Sequence, residues 1–140
     1  MKIVLKDNKT LGEIQKEFNK EFPYLKIEFF ETPHNNGSGS PKSRMYNHSR
    51  TVKSCRKTHD EGEISISKTE TVSTLEQEFW DKFNLSVQVF RKSGNLWIET
   101  TLTNGWTLEQ QNLEGREISE HKSPFDEADD LDLTDRDKWS

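Results

Sequence analysis

His34, His48, Cys55 and His59 are residues that can ligate a metal or take part in nucleophilic attack, and all four fall within residues 32–60. Zinc takes four such ligands tetrahedrally, and the Cys55-x3-His59 spacing puts two of them on one turn. The rest of the set fits zinc poorly. One cysteine with three histidines is an uncommon structural set, thirteen residues separate His34 from His48, and the glycines and serines between them give no rigid support. Neither a metal nor another cofactor is expected. Cys55 with His48 or His59 has the residue types of a nucleophile and its base, but such a pair needs a mount that holds both groups in reacting geometry. The carboxylates Glu13, Glu17, Glu21, Glu76 and Glu78 sit opposite apolar stripes, where solvated charge is the default. Phosphate-cradling glycine loops, nucleophile elbows and metalloprotease helices do not occur. The residues point to a non-enzyme with no catalytic positions.

The elements that would position any site are easier to read. Leu11, Ile14, Phe18 and Phe22 recur at helical intervals, and Val72, Leu75, Phe79 and Phe83 repeat the stripe 61 positions on. Thr10 with Glu13 has the capping-box pattern; Ser73 with Glu76 offers another, with Thr71 as a competing cap. Each stripe is followed by an alternating run, Leu25, Ile27 and Phe29 in one copy and Leu85, Val87 and Val89 in the other, offset by 60. Pro23 reads as a one-residue insertion. Short apolar runs, Ile3–Leu5 and Ile64–Ile66, precede the helices.

The chain therefore reads as α+β, with a duplicated βαβ unit. The simplest assembly is a ferredoxin-like antiparallel sheet with both helices on one face. Ser93-Gly94 reads as a hairpin turn into a fifth strand, pairing Val89 with Ile98, Val87 with Thr100, Leu85 with Leu102 and Phe90 with Trp97. Thr107 and Gln110 then cap a short C-terminal helix that Gly115 closes.

Outside those elements the composition changes. Apolar residues make up 29 % of the chain and charged residues 32 %, and the apolar ones concentrate in residues 1–31 and 62–113. Residues 1–31 and 58–116 are expected to form a single folded domain, with 32–57 a flexible basic insertion loop and 117–140 a disordered acidic tail. The net charge of −5 averages over the two appendages. Residues 1–5 are too short a run for a signal peptide, no run is long enough to span a membrane, and one cysteine cannot form an internal disulfide. A cytoplasmic protein without membrane contact is the expectation.

Two surfaces then remain as functional candidates. Phe30, Phe90 and Trp97 share the strand face away from the helices, where aromatics of RNA-recognition sheets stack on bases, and Arg44, Arg50, Lys53, Arg56 and Lys57 could track phosphates. Glu28, Gln88 and Glu99 share that face, and the glycine-and-aromatic RNA-binding motif is missing. Leu131, Leu133 and Trp139 stud the acidic tail as interaction segments do. An adaptor or protein–protein interaction module, acting on an unidentified protein or on a second copy, is the leading expectation, with single-stranded nucleic acid as the alternative.

The stretch TVSTLEQEFWDKFNLSVQVFRKSGNLWIETTLTNGWTLEQQN, within residues 58–115, resembles a family of small cytosolic bacterial proteins of unknown function. That resemblance implies a folded bacterial domain and carries over no functional residue.

Overall fold

A computed structural model describes residues 1–31, 44–56 and 58–120. The elements run β1 (Lys2–Leu5), α1 (Leu11–Glu21), β2 (Leu25–Phe30), β3 (Gly62–Ser65), α2 (Val72–Phe83), β4 (Ser86–Ser93), β5 (Leu96–Glu99) and α3 (Leu108–Glu120). Short 3₁₀ turns lie at Val52–Cys55 and Thr101–Thr103.

Local chemistry sets the helix ends. The Glu13 N–H donates to the Thr10 hydroxyl while the Glu13 carboxylate accepts from the Thr10 N–H, closing the capping box of α1. At α2 the competing cap wins: Thr71 accepts from the Thr74 N–H, and Ser73 lies inside the helix. Asn84, at φ 55°, ends α2 with its N–H on the carbonyls of Phe79 and Trp80. Thr107 and Gln110 box the start of α3 as their spacing predicts.

The strands form two small antiparallel sheets, not one. β1 pairs with β3, and the second sheet runs β2-β4-β5. Alternation in a strand fixes which face is apolar but not which strand lies beside it. The sheet order therefore departs from the ferredoxin-like one. Ile3 stands opposite Ile64 and Glu28 opposite Gln88. In both sheets a residue of the first half thus meets the residue 60 or 61 positions on.

Two segments dock on the helix starts in matching ways, offset by 61 positions on the helix side and by 56 on the docked side. Leu11 and Gly12 donate to the carbonyls of Arg50 and His48, as Val72 and Ser73 donate to those of Trp106 and Asn104. Val52 and Lys53 donate to Lys9 and Asp7, as Leu108 and Glu109 donate to Glu70 and Lys68. Within the stretch expected as a flexible basic loop, 32–57, the described residues 44–56 hydrogen-bond to the fold, with Val52 fully buried. The composition of that stretch is polar, but its main chain satisfies its hydrogen bonds against α1 and β2.

One core gathers the apolar faces of both sheets and of α1 and α2, and Leu108 of α3 joins it. The rings of Phe29 and Phe79 meet edge-on at 6.0 Å. The register of the β4–β5 hairpin is two residues from the expected one. Phe90 faces Glu99, Arg91 faces Ile98, Lys92 faces Trp97 and Ser93 faces Leu96, so the turn is Gly94-Asn95. Gly94 takes φ +65°, which the first central position of such a turn demands. A shift of two keeps every side chain on its face but shortens β5, and Leu102 moves from the expected core pair with Leu85 to the surface, 92 % exposed. α3 also runs past Gly115 to Glu120, so that glycine lies inside the helix and does not close it.

Candidate functional site

The sheet face carrying the aromatics assembles only in part. Phe30 is 2 % exposed, bridged to Met45, and belongs to the interior, which corrects its assignment to a surface. Phe90 and Trp97 remain half-buried, joined through Lys26 and not to each other. The Lys26 ammonium lies 5.4 Å from the Phe90 ring centre and 5.3 Å from that of Trp97, and 3.0 Å from a Glu28 carboxylate oxygen. A base stacking there would have to displace a cation already satisfied on both sides. Beside this cluster a shallow groove of about 340 Å³ is lined by Gln15, Lys16, Asn19, Lys26, His48 and Trp97, among others. Its polar side chains are partly engaged: Gln15 donates to the Ile27 carbonyl and Asn19 to that of Leu25, closing part of β2's outer edge.

The basic residues separate by role. Arg56 is 8 % exposed, and its guanidinium donates to the Phe83 carbonyl, the Asp7 carboxylate and the Asp60 carbonyl. It joins the end of α2 to the β1–α1 loop and cannot also track a phosphate, which corrects that assignment. A cation at the carboxyl end of α2 also complements the helix dipole. Desolvation pushes the Asp7 carboxyl up, but bonds and charge from Arg56 and His59 together outweigh it and hold Asp7 below its ordinary range. Arg50 stacks over Tyr46 at 4.6 Å and bonds Ser54, while Arg44 and Lys53 are exposed. Lys57 lies outside the described residues, as do Leu131, Leu133 and Trp139.

The candidate metal ligands are each engaged differently. His59 Nδ1 sits 3.0 Å from Asp7, the His48 carbonyl holds Gly12, and Cys55 packs against the core with its sulfur 3.6 Å from the Ser54 hydroxyl. His34 lies outside the described residues, among which no group of three or more His, Cys, Asp or Glu could hold a metal. Glu76 was expected to be solvated, yet it accepts from the Val89 N–H at 2.9 Å, tying α2 to β4. Among the described residues no helix is long and apolar enough to cross a membrane.

Sequence reasoning missed the largest apolar exposure. Leu96 (66 % exposed), Ile98 (36 %), Leu102, Trp106 (38 %) and Leu113 are five of the seven exposed large hydrophobic residues among those described. Arg91 links part of this group, facing Ile98 across the hairpin and standing 5.7 Å above the Trp106 ring. β5 runs through the patch as the outermost strand of its sheet. The Thr100 N–H points to the Val89 carbonyl of β4, so by alternation the N–H groups of Trp97 and Glu99 point outward. The Gly94-Asn95 turn was the available signal, since it places Leu102 beyond the strand.

No protein-family model, curated protein or solved structure matches the chain.

Proposed function

We propose that this chain is a non-enzymatic protein–protein interaction module whose contact is the outer edge of β5, with Leu96, Ile98, Leu102 and Trp106 around it. The observation that carries this reading is the crowding of exposed apolar side chains beside a strand edge that no described strand pairs. Scattered surface leucines need no explanation, but a group of them does. An extended partner segment would gain main-chain hydrogen bonds from the edge and side-chain contacts from the patch. The resemblance and the lone free cysteine support reading the module as bacterial and cytoplasmic. The paired offsets support a second element of the reading, that the two halves are copies of one unit, extending from the first strand through the segment docked on the helix start.

Single-stranded nucleic acid is the alternative, supported by Lys26, Phe90 and Trp97 and opposed by Glu28 and Glu99 on the same face. Purification of the tagged chain in mild salt, with and without nuclease, tests the choice. The interaction reading expects a defined protein to persist after nuclease and to be lost when Leu96 is changed to Lys. Nucleic acid that co-purifies, dissociates steeply with salt and is lost on Trp97→Ala would reverse the two readings, the stacking lost being worth about 1–3 kcal/mol per base.

A further inference from the structure

Glu70 and Glu78 stand in the second half where Lys9 and Glu17 stand in the first, 61 positions earlier in both cases. The earlier pair is an ordinary ion pair. Lys9 Nζ lies 2.7 Å from the Glu17 carboxylate and donates to the Val4 carbonyl at 2.6 Å. The later pair brings together two acids.

The surroundings of Glu70 show how that arrangement is tolerated. Its Oε1 accepts from the Ser67 N–H at 2.7 Å. Its Oε2 is enclosed and has no hydrogen-bond partner as a carboxylate. A buried oxygen left in that state costs free energy, and two neighbouring carboxylates resist ionising together. One proton answers both problems, because a protonated Glu70 can donate from Oε2 to Glu78. Lys82 lies 3.7 Å from Glu78 and forms an ion pair with it, so the geometry leaves the enclosed Glu70 Oε2 as the place for the proton. Burial first, and Glu78 second, push the Glu70 carboxyl up to about 7 against the pull of Ser67 and Lys82.

We propose that Glu70 and Glu78 share one proton, and that its loss loosens the Ser67–Thr71 loop from the first turn of α3. That loop is the seat of the helix. The Glu70 carbonyl accepts from the Leu108 N–H and the Lys68 carbonyl from the Glu109 N–H, at 2.9 and 3.0 Å. The charged groups around the pair are Lys82 on α2, Lys68 on the same loop and Glu109 on α3. Lys68 and Glu109 pair with each other at 3.4 Å and hold the seat by charge as well. An acid whose pKa is higher folded than unfolded favours the folded state at low pH. Its contribution falls as pH rises from the ordinary glutamate value of 4.5 through about 7.

The test is denaturation of the full chain from pH 5 to 8.5, comparing wild type with Glu70→Gln, Glu78→Gln and Glu70→Lys. Subtracting the variants removes every other titrating group. Glu70→Gln, a permanent stand-in for the protonated acid, should come nearest to wild type at the acid end of the range. Its advantage should widen up to about pH 7, by at most about tenfold in the folding constant per pH unit, and level off above that. Glu70→Lys, which copies the Lys9–Glu17 pair, should flatten the same dependence. Amides of Leu108 and Glu109 should exchange faster than the intrinsic pH effect predicts in wild type and not in Glu70→Gln. Curves of wild type and Glu70→Gln that stay parallel throughout would overturn the proposal. So would a side-chain carboxyl titration of Glu70 in the unmodified protein, followed by ¹³C NMR, with its midpoint in the ordinary glutamate range.

Discussion

Single side chains decide more here than their types announce. Phe79 recurs in the helical stripe and meets Phe29 in the core, so its burial was legible from spacing alone. Phe79→Ala should destabilise the fold by about 3–5 kcal/mol, measured by urea denaturation, because the emptied space would be walled by packed core side chains, Phe29 among them. A loss below about 1 kcal/mol would mean that the core closes over the gap. Arg56 was not legible in this way. It lies among basic residues in a polar stretch, and two of the partners that let its guanidinium be buried, the Phe83 carbonyl and the Asp7 carboxylate, lie far along the chain. Phe30 failed for a related reason, since its alternation places it outward while a segment some fifteen residues on covers it. Glu70 was invisible as well, because its meaning depends on comparison with Lys9.

At the scale of elements, the helices were legible because their signals are local, an apolar stripe and a polar cap, although α2 starts at Thr71, the competing cap, and not at Ser73. The hairpin was legible in its faces but not in its pairs, because a two-residue slip leaves the alternation intact. Gly115 shows the limit of reading breakers as boundaries. A side chain at that position would bring Cβ to 2.9 Å from Tyr24 Cβ and 3.2 Å from the Tyr24 carbonyl oxygen, so the glycine lets α3 lie against the start of β2. Tyr24 is held there, its N–H donating to Asn112 of the same helix. Gly115→Ala should lower the melting temperature even though alanine is the better helix former. Overpacking costs about 1–3 kcal/mol, while propensity returns about 1. An increase in melting temperature would show that α3 can move outward at no cost.

For the molecule as a whole, the order of helices and strands was legible but strand adjacency was not. Periodicity states that strands recur and which faces are apolar; it is silent on whether a strand lies beside its own counterpart or between the strands of the other half. The two docked segments were also beyond reach, since Asn47–Val52 and Thr103–Leu108 share little besides Thr51 and Thr107 ahead of an apolar residue. Among the described residues no strand pairs with the outer side of β5, and its outward N–H groups belong to Trp97 and Glu99. Amide hydrogen exchange at these two residues, in the full chain with and without the protein recovered after nuclease treatment, tests the proposed contact most directly. Exchange at both should slow on binding, and Glu99→Pro, which removes an outward donor while sparing the β4 ladder, should abolish both the protection and the complex. Unchanged exchange at Trp97 and Glu99, with protection appearing instead along residues 44–56, would contradict it.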